Sequence, residues 1–199
     1  MHRLSSNFVL GYHGCDQTIG ESLLAGLAFK PSENDYDWLG PGIYFWEANP
    51  CRGLEFAGEL AARRPVSNSG EVITKPFVVG AVIELGLCLD LTTSSGLDWV
   101  RIAHKSLVQT NIAAKVPVLA NSQDHLRRYL DCAVIKRLHS ILEGQRLPPI
   151  DTVKGVFTEG APLYPGSGFR QKTHIQIAVR NPRCIKGVFR VPVEQLGDM

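Results

Sequence analysis

The chain predicts an α+β fold, with strands near its start and at its end enclosing a long helical middle. Three observations carry this. Phe8–Tyr12 and Ile43–Trp46 are short, bulky, β-prone runs. The segment from Gly96 to Gly144 repeats its apolar residues at helical spacing. Beyond Pro148-Pro149, Thr152–Phe157, His174–Val179 and Ile185–Val191 read as three further strands. Strands and helices grouped in this way suit a sheet with helices packed outside it. The 199 residues are read as a single domain, 1–199, with a helical segment at about 96–144.

The elements follow in order. Phe8–Tyr12 ends at His13-Gly14-Cys15-Asp16. A histidine at a strand end, followed at once by glycine, can point into a cleft while the next backbone N–H stays open to a ligand. A satisfied structural histidine is the other reading. Glu21–Leu27 is a short helix with Leu23, Leu24 and Leu27 on one face, and Pro31–Asp37 is a polar, turn-prone loop. It leads into Leu39–Glu47, the stretch L-G-P-G-I-Y-F-W-E, in which Gly40, Pro41 and Gly42 form a tight turn. Tyr44, Phe45 and Trp46 then make either a buried strand or an aromatic wall for a flat ligand ring. Asn49-Pro50 starts a helix with a capping side chain and proline at its first position. Leu54, Ala57, Leu60 and Ala61 continue that helix, Arg63 and Arg64 fill its last turn, and Pro65 closes it. Val66–Thr74 is a polar loop. Pro76–Leu85 is a continuous apolar run, hence a buried central strand, and Leu87–Leu91 extends it after a bend at Gly86.

In the helical middle, Leu97, Val100, Ala103 and Leu107 give one apolar face and Leu126, Leu130, Val134, Leu138 and Ile141 another. Arg127, Arg128, Lys136 and Arg137 spread along the second helix as a solvated face. Together with Arg170 and Lys172 they suit nucleic acid only if they share a face with the cleft. Thr158–Lys172 is rich in glycine and proline, and a loop of that length in a compact domain is usually functional or disordered.

Hydrophobic content of 44% and charged content of 20% are those of an ordinary globular chain, and the net charge of +2 requires no polyanionic partner. No apolar run reaches membrane-spanning length, and the N-terminus lacks the order of a signal peptide. The 5 cysteines are odd in number and widely spaced, which argues against a disulfide framework and against a zinc site. A cytoplasmic protein with reduced thiols, no metal and no membrane partner is the simplest expectation.

Tyr12-His13-Gly14, Gly40-Pro41-Gly42-Ile43-Tyr44-Phe45 ahead of a helix, and the late Gln176-Ile-Ala-Val-Arg-Asn-Pro182 together resemble a known family. It is the ADP-ribosyltransferases, in their diphtheria-toxin and poly(ADP-ribose)-polymerase-like branch. Leu23-Leu24-Ala25-Gly26-Leu27 fits as well. The resemblance covers residues 8–64 well and 152–191 loosely. It implies a split β-sandwich of two small sheets clasping a cleft, with flanking helices, and NAD as substrate. By similarity, His13 would bond the adenine-side ribose and Gly14 would offer its backbone to the nicotinamide carboxamide. Tyr44 would stack on the nicotinamide ring, and Phe56 falls near a second stacking aromatic. Arg52-Gly53 lies where the family often has a serine. Lys30 could meet the pyrophosphate, or is simply solvated.

The chemistry such a site performs is cleavage of an N-glycosidic bond through an oxocarbenium-like transition state. The family places a glutamate where this chain has Gln176, and a glutamine binds a hydroxyl without carrying charge. One charge at about 4 Å is worth roughly 4 kcal/mol at an effective dielectric near 20, or about a thousandfold in rate. Two residues could compensate. His174 shares a strand face with Gln176 and could act as general base near neutral pH. Glu159 is the acid the long loop could return to the site. The resemblance thus implies a mono-ADP-ribosyltransferase acting on a macromolecular acceptor, protein or nucleic acid. The compact architecture suggests a bacterial or phage toxin or effector, with an antitoxin or inhibitor protein as a candidate partner. An NAD- or ADP-ribose-binding module without catalysis, and an NAD glycohydrolase, stand beside it.

Overall fold

The computed structural model describes residues 8–63, 72–117, 119–123 and 127–197, and the backbone of 2–3. It is a mixed α+β structure. The strands are β1 (His2–Arg3), β2 (Phe8–Asp16), β3 (Ile43–Glu47), β4 (Pro76–Glu84), β5 (Leu87–Asp90), β6 (Thr152–Phe157), β7 (His174–Val179) and β8 (Ile185–Arg190). The helices are α1 (Gln17–Leu24), α2 (Pro50–Ala62), α3 (Ser94–Ala114) and α4 (Tyr129–Gly144). Hydrogen bonding joins all the strands in one order, β1-β5-β6-β7-β3-β2-β4-β8, rather than in two separate sheets. Only β5 and β6 run parallel, their connection carrying α3 and α4.

Most elements form where the sequence places them, and the exceptions have local causes. Strand β2 continues past Tyr12 because His13–Asp16 pair with Pro76–Val79 of β4. Asp16 then ends the strand and caps α1, accepting from the Thr18 N–H at 2.9 Å. The Thr18 hydroxyl donates to it at 2.6 Å, and with the backbone N–H groups of Lys75, Thr18 and Thr74 holds its carboxyl well below the usual range. With that cap in place α1 starts at Gln17 rather than Glu21. Gly20 lets the helix lie on the sheet, since a Cβ there would stand 2.2 Å from the Phe77 ring. The start of α2 is as expected, with the Asn49 side chain accepting from the Arg52 N–H at 3.0 Å. Arg127 and Arg128 precede α4 instead of running along it, and Leu97 is exposed rather than part of a buried face. Arg64, Pro65, residues 66–71 and Leu126 lie outside the described residues.

The pleat sorts β3 cleanly. Ile43 and Phe45 join Ile83, Ile177 and Val179 on one face. Tyr44 turns to the other, where Leu39, Leu89, Leu138 and Ala178 pack beneath α3 and α4. Further along that second face, Tyr12, Leu54 and Val78 lie under α2.

Candidate functional site

The middle of the sheet is narrowly paired between β2 and β3. Strand β2 pairs with β4 along its whole length and β3 pairs with β7 from Ile43 to Trp46. Between them, β2 and β3 share only Gly11↔Glu47 and Tyr12↔Trp46. Past Tyr12 the two strands part, and His13 is the first residue beyond the pairing. Its Nδ1–H donates across the opening to the Tyr44 carbonyl at 2.8 Å. A carbonyl only accepts, so this bond fixes the neutral tautomer and gives Nε2 the lone pair. The ring is set edge-on against Phe29, with centroids 5.4 Å apart, and lies 5.7 Å from Phe45. At Gly14 the sequence is dictated by packing. A Cβ would stand 2.1 Å from the Gly53 carbonyl oxygen, so only glycine lets α2 lie on the strand here. Lys30 follows Phe29 in an exposed segment.

Tyr44 is more committed than its motif suggests. Its hydroxyl accepts from the Leu39 N–H at 3.1 Å and donates to the Gly40 carbonyl at 2.8 Å, bracing the Gly40–Gly42 turn. Burial pushes that hydroxyl well above its ordinary pKa. The ring is partly buried against the core beneath α4, so it is less open than a free stacking platform. Gln176 is likewise oriented. Its Oε1 accepts from Trp38 Nε1–H at 2.6 Å, which directs the amide NH₂ the other way as a donor. Trp38 in turn packs on Phe157 and carries the Arg128 guanidinium 5.2 Å above its ring.

A second cluster lies on the same face, around Trp46, where Trp46 and Phe56 have centroids 4.8 Å apart. Arg52 is a buried hub, 5% exposed. It reaches Glu59 at 3.1 Å and Glu159 at 3.5 Å, and Lys172 meets Glu59 at 2.8 Å. These bonds tie both ends of the Glu159–Lys172 loop to α2. Burial opposes charge on Glu59, but the Lys172 hydrogen bond and the Arg52 charge outweigh it and hold the carboxyl below its usual value. His174 donates Nδ1–H to the Lys172 carbonyl at 2.7 Å. Burial lowers its pKa and Arg52 adds to the effect, against the Lys172 bond and the charges of Glu159 and Glu59. The ring is therefore neutral at pH 7, with its lone pair on Nε2. Trp46 Nε1, Arg52 Nε and His174 Nε2 are all buried without a hydrogen-bond partner among the described residues. Trp46 and His174 are neighbours, with ring centroids 6.3 Å apart, so unsatisfied polar atoms gather in this packed wall.

The structure thus brings together His174, Glu159, Phe56, Trp46 and Arg52, with Gln176 paired opposite Trp46 in the sheet. His13 and Gly14 lie on the neighbouring strand at the parting, and Lys30 is exposed beside Phe29. Trp38 and Arg52 had weak signals in the sequence: a tryptophan inside a turn-prone loop, and an arginine in the first turn of a helix, where acids are favoured. Among the described residues no group of His, Cys, Asp and Glu is gathered to hold a metal ion. No family model, curated protein or solved structure matches the chain.

Proposed function

We propose that this protein is an NAD-dependent ADP-ribosyltransferase that moves ADP-ribose to a macromolecular acceptor and releases nicotinamide. The observation that carries the reading is the parting of β2 from β3 at His13, bridged by the His13–Tyr44 hydrogen bond. The His-Gly pair and the Gly-x-Gly-Ile-Tyr-Phe stretch lie on the two strands that part here, which supports a cleft between them within the one continuous sheet. In this reading the C–N glycosidic bond breaks and its electron pair leaves with nicotinamide. The acceptor's nucleophile bonds to the ribose carbon, and its proton passes to Nε2 of His174. Gln176, held by Trp38, donates its amide N–H to a ribose oxygen. Glu159 adds negative charge beside His174, partly offset by Arg52. Nicotinamide contacts the accessible part of the Tyr44 ring, with the Trp46–Phe56 pair behind it.

A second reading has its own support. With no carboxylate at Gln176 and Trp46 packed into the wall at 3% exposure, the same opening suits a module that binds NAD or ADP-ribose without turnover. Incubation with labelled NAD separates the two. The transferase releases nicotinamide and labels protein or RNA in a lysate, and His13→Ala and His174→Ala each abolish labelling. Its pH–rate midpoint lies below that of an ordinary histidine, because burial lowers the His174 pKa. NAD binding by calorimetry without nicotinamide release establishes the module, release without transfer establishes a glycohydrolase, and no binding at all refutes the site.

A further inference from the structure

On the far side of Trp38 from Gln176, α3, α4 and the edge of β6 enclose a groove of about 650 Å³. That volume is typical of small-molecule sites, roughly 300–1,000 Å³, and small for a macromolecular partner. Its floor is aliphatic, including Val100, Leu130, Val134 and Val156, with the Trp38 ring as one wall. Hydrogen-bonding groups are few, which disfavours a sugar or a nucleobase. The charged lining is unbalanced, with Arg101, Lys105 and Arg128 against Asp131, and Thr92 and His104 add polar groups beside it. Arg101 pairs with Asp98 and Arg128 with Asp131, whereas Lys105 has no carboxylate partner among the described residues. Arg101 and Lys105 are spaced i,i+4 on α3, so they flank the same side of the groove.

The geometry points to a binding site for a small amphipathic anion, its hydrocarbon body on the aliphatic floor and its carboxylate or phosphate head at Lys105 and Arg101. A chain of about ten carbons fits along such a floor and buries its apolar surface while its head stays in reach of water. The ligand lies against Trp38, whose indole N–H holds Gln176 and whose ring packs on Phe157, itself 5.3 Å from His174. Occupancy is therefore felt at the candidate site through one side chain. The inference does not depend on NAD chemistry, because the groove and its charges stand whatever the opening at His13 binds.

The test is calorimetry and tryptophan fluorescence of the intact chain with sodium decanoate and with decyl phosphate, both below their micellar range. Decanol and decyltrimethylammonium serve as uncharged and cationic controls, and phosphatidylglycerol vesicles as the membrane arm. One saturable site for either anion is expected, with decanol and the cation at least about tenfold weaker and Lys105→Glu also about tenfold weaker. Val100→Trp fills the groove and abolishes binding while circular dichroism remains unchanged. Equal binding of decanol and decanoate, full affinity in Lys105→Glu, or binding to vesicles without binding to either free anion overturns the proposal. So does the absence of any saturable site.

Discussion

His139 lies on α4 with both ring nitrogens buried and without partners among the described residues. Burial, reinforced by the charge of Arg180, lowers its pKa from 6.5 to about 4. The folded protein therefore resists protonation that the unfolded chain accepts. The sign follows from the proton count: below pH 6.5 the unfolded state binds more protons, so stability falls as pH drops, and the loss is complete below pH 4. A shift of this size amounts to about 3 kcal/mol in full and about 2 kcal/mol by pH 5. Above neutrality the residue contributes no pH dependence. Urea unfolding at a series of pH values from 7.5 downward measures this directly, with His139→Leu as the comparison. The parent chain is expected to lose about 2 kcal/mol more than the variant between pH 7.5 and 5. Parallel stability curves for the two proteins over that window refute the argument, because every other titrating group is common to both.

Three other perturbations follow from the packing and bonding described above. Arg52→Met takes the partner from Glu159 and leaves Glu59 with Lys172, and is expected to cost about 1–3 kcal/mol in denaturant unfolding, with faster proteolysis within residues 158–172 as its local sign. Gly14→Ala forces a Cβ to 2.1 Å from the Gly53 carbonyl oxygen and costs at least about 2 kcal/mol, whereas Gly58→Ala meets nothing within 4 Å and stabilises α2 by about 0.5–1 kcal/mol. A melting comparison of the two shows opposite shifts. Tyr44→Phe removes the hydroxyl bridging the Leu39 N–H and the Gly40 carbonyl, for a loss of about 1–3 kcal/mol in the same assay.

The strands and helices were legible because hydrophobic period and capping act locally. Asn49-Pro50 and the run Pro76–Glu84 announce themselves within a few residues. Where the reading slipped, the deciding partner was remote. Strand β2 runs on to Asp16 because β4 pairs with it, and α1 starts early because Asp16 is free to cap it. At the site, the His13 and Tyr44 motifs stood out by residue type, but their bond could not be read from either stretch alone. Nor could Trp38 be tied to Gln176, which is 138 positions away. Arg128 read as one more solvated charge, and it stacks on Trp38 and Phe157 instead. Arg52 looked like a departure from a motif, and its buried carboxylate partners come from both α2 and the late loop.

The seam between β2 and β3 also has a mechanical consequence. On one side stand β1, β5, β6, β7 and β3, on the other β2, β4 and β8. Among the described residues, the backbone bonds between these two leaves are the short pairing at Gly11 and Tyr12, the Ala48 N–H bond to Leu10, and the His13 bond. This short backbone hinge is backed by side chains that pack across it, with Ile43, Phe45 and Ile177 against Ala81 and Ile83. Amide exchange is expected to divide along the same line, with Tyr44 and the amides nearest the hinge opening at lower free energy than either leaf's interior. A ligand entering the opening would bind at the place where the backbone yields most cheaply, and would lock the leaves together as it does so.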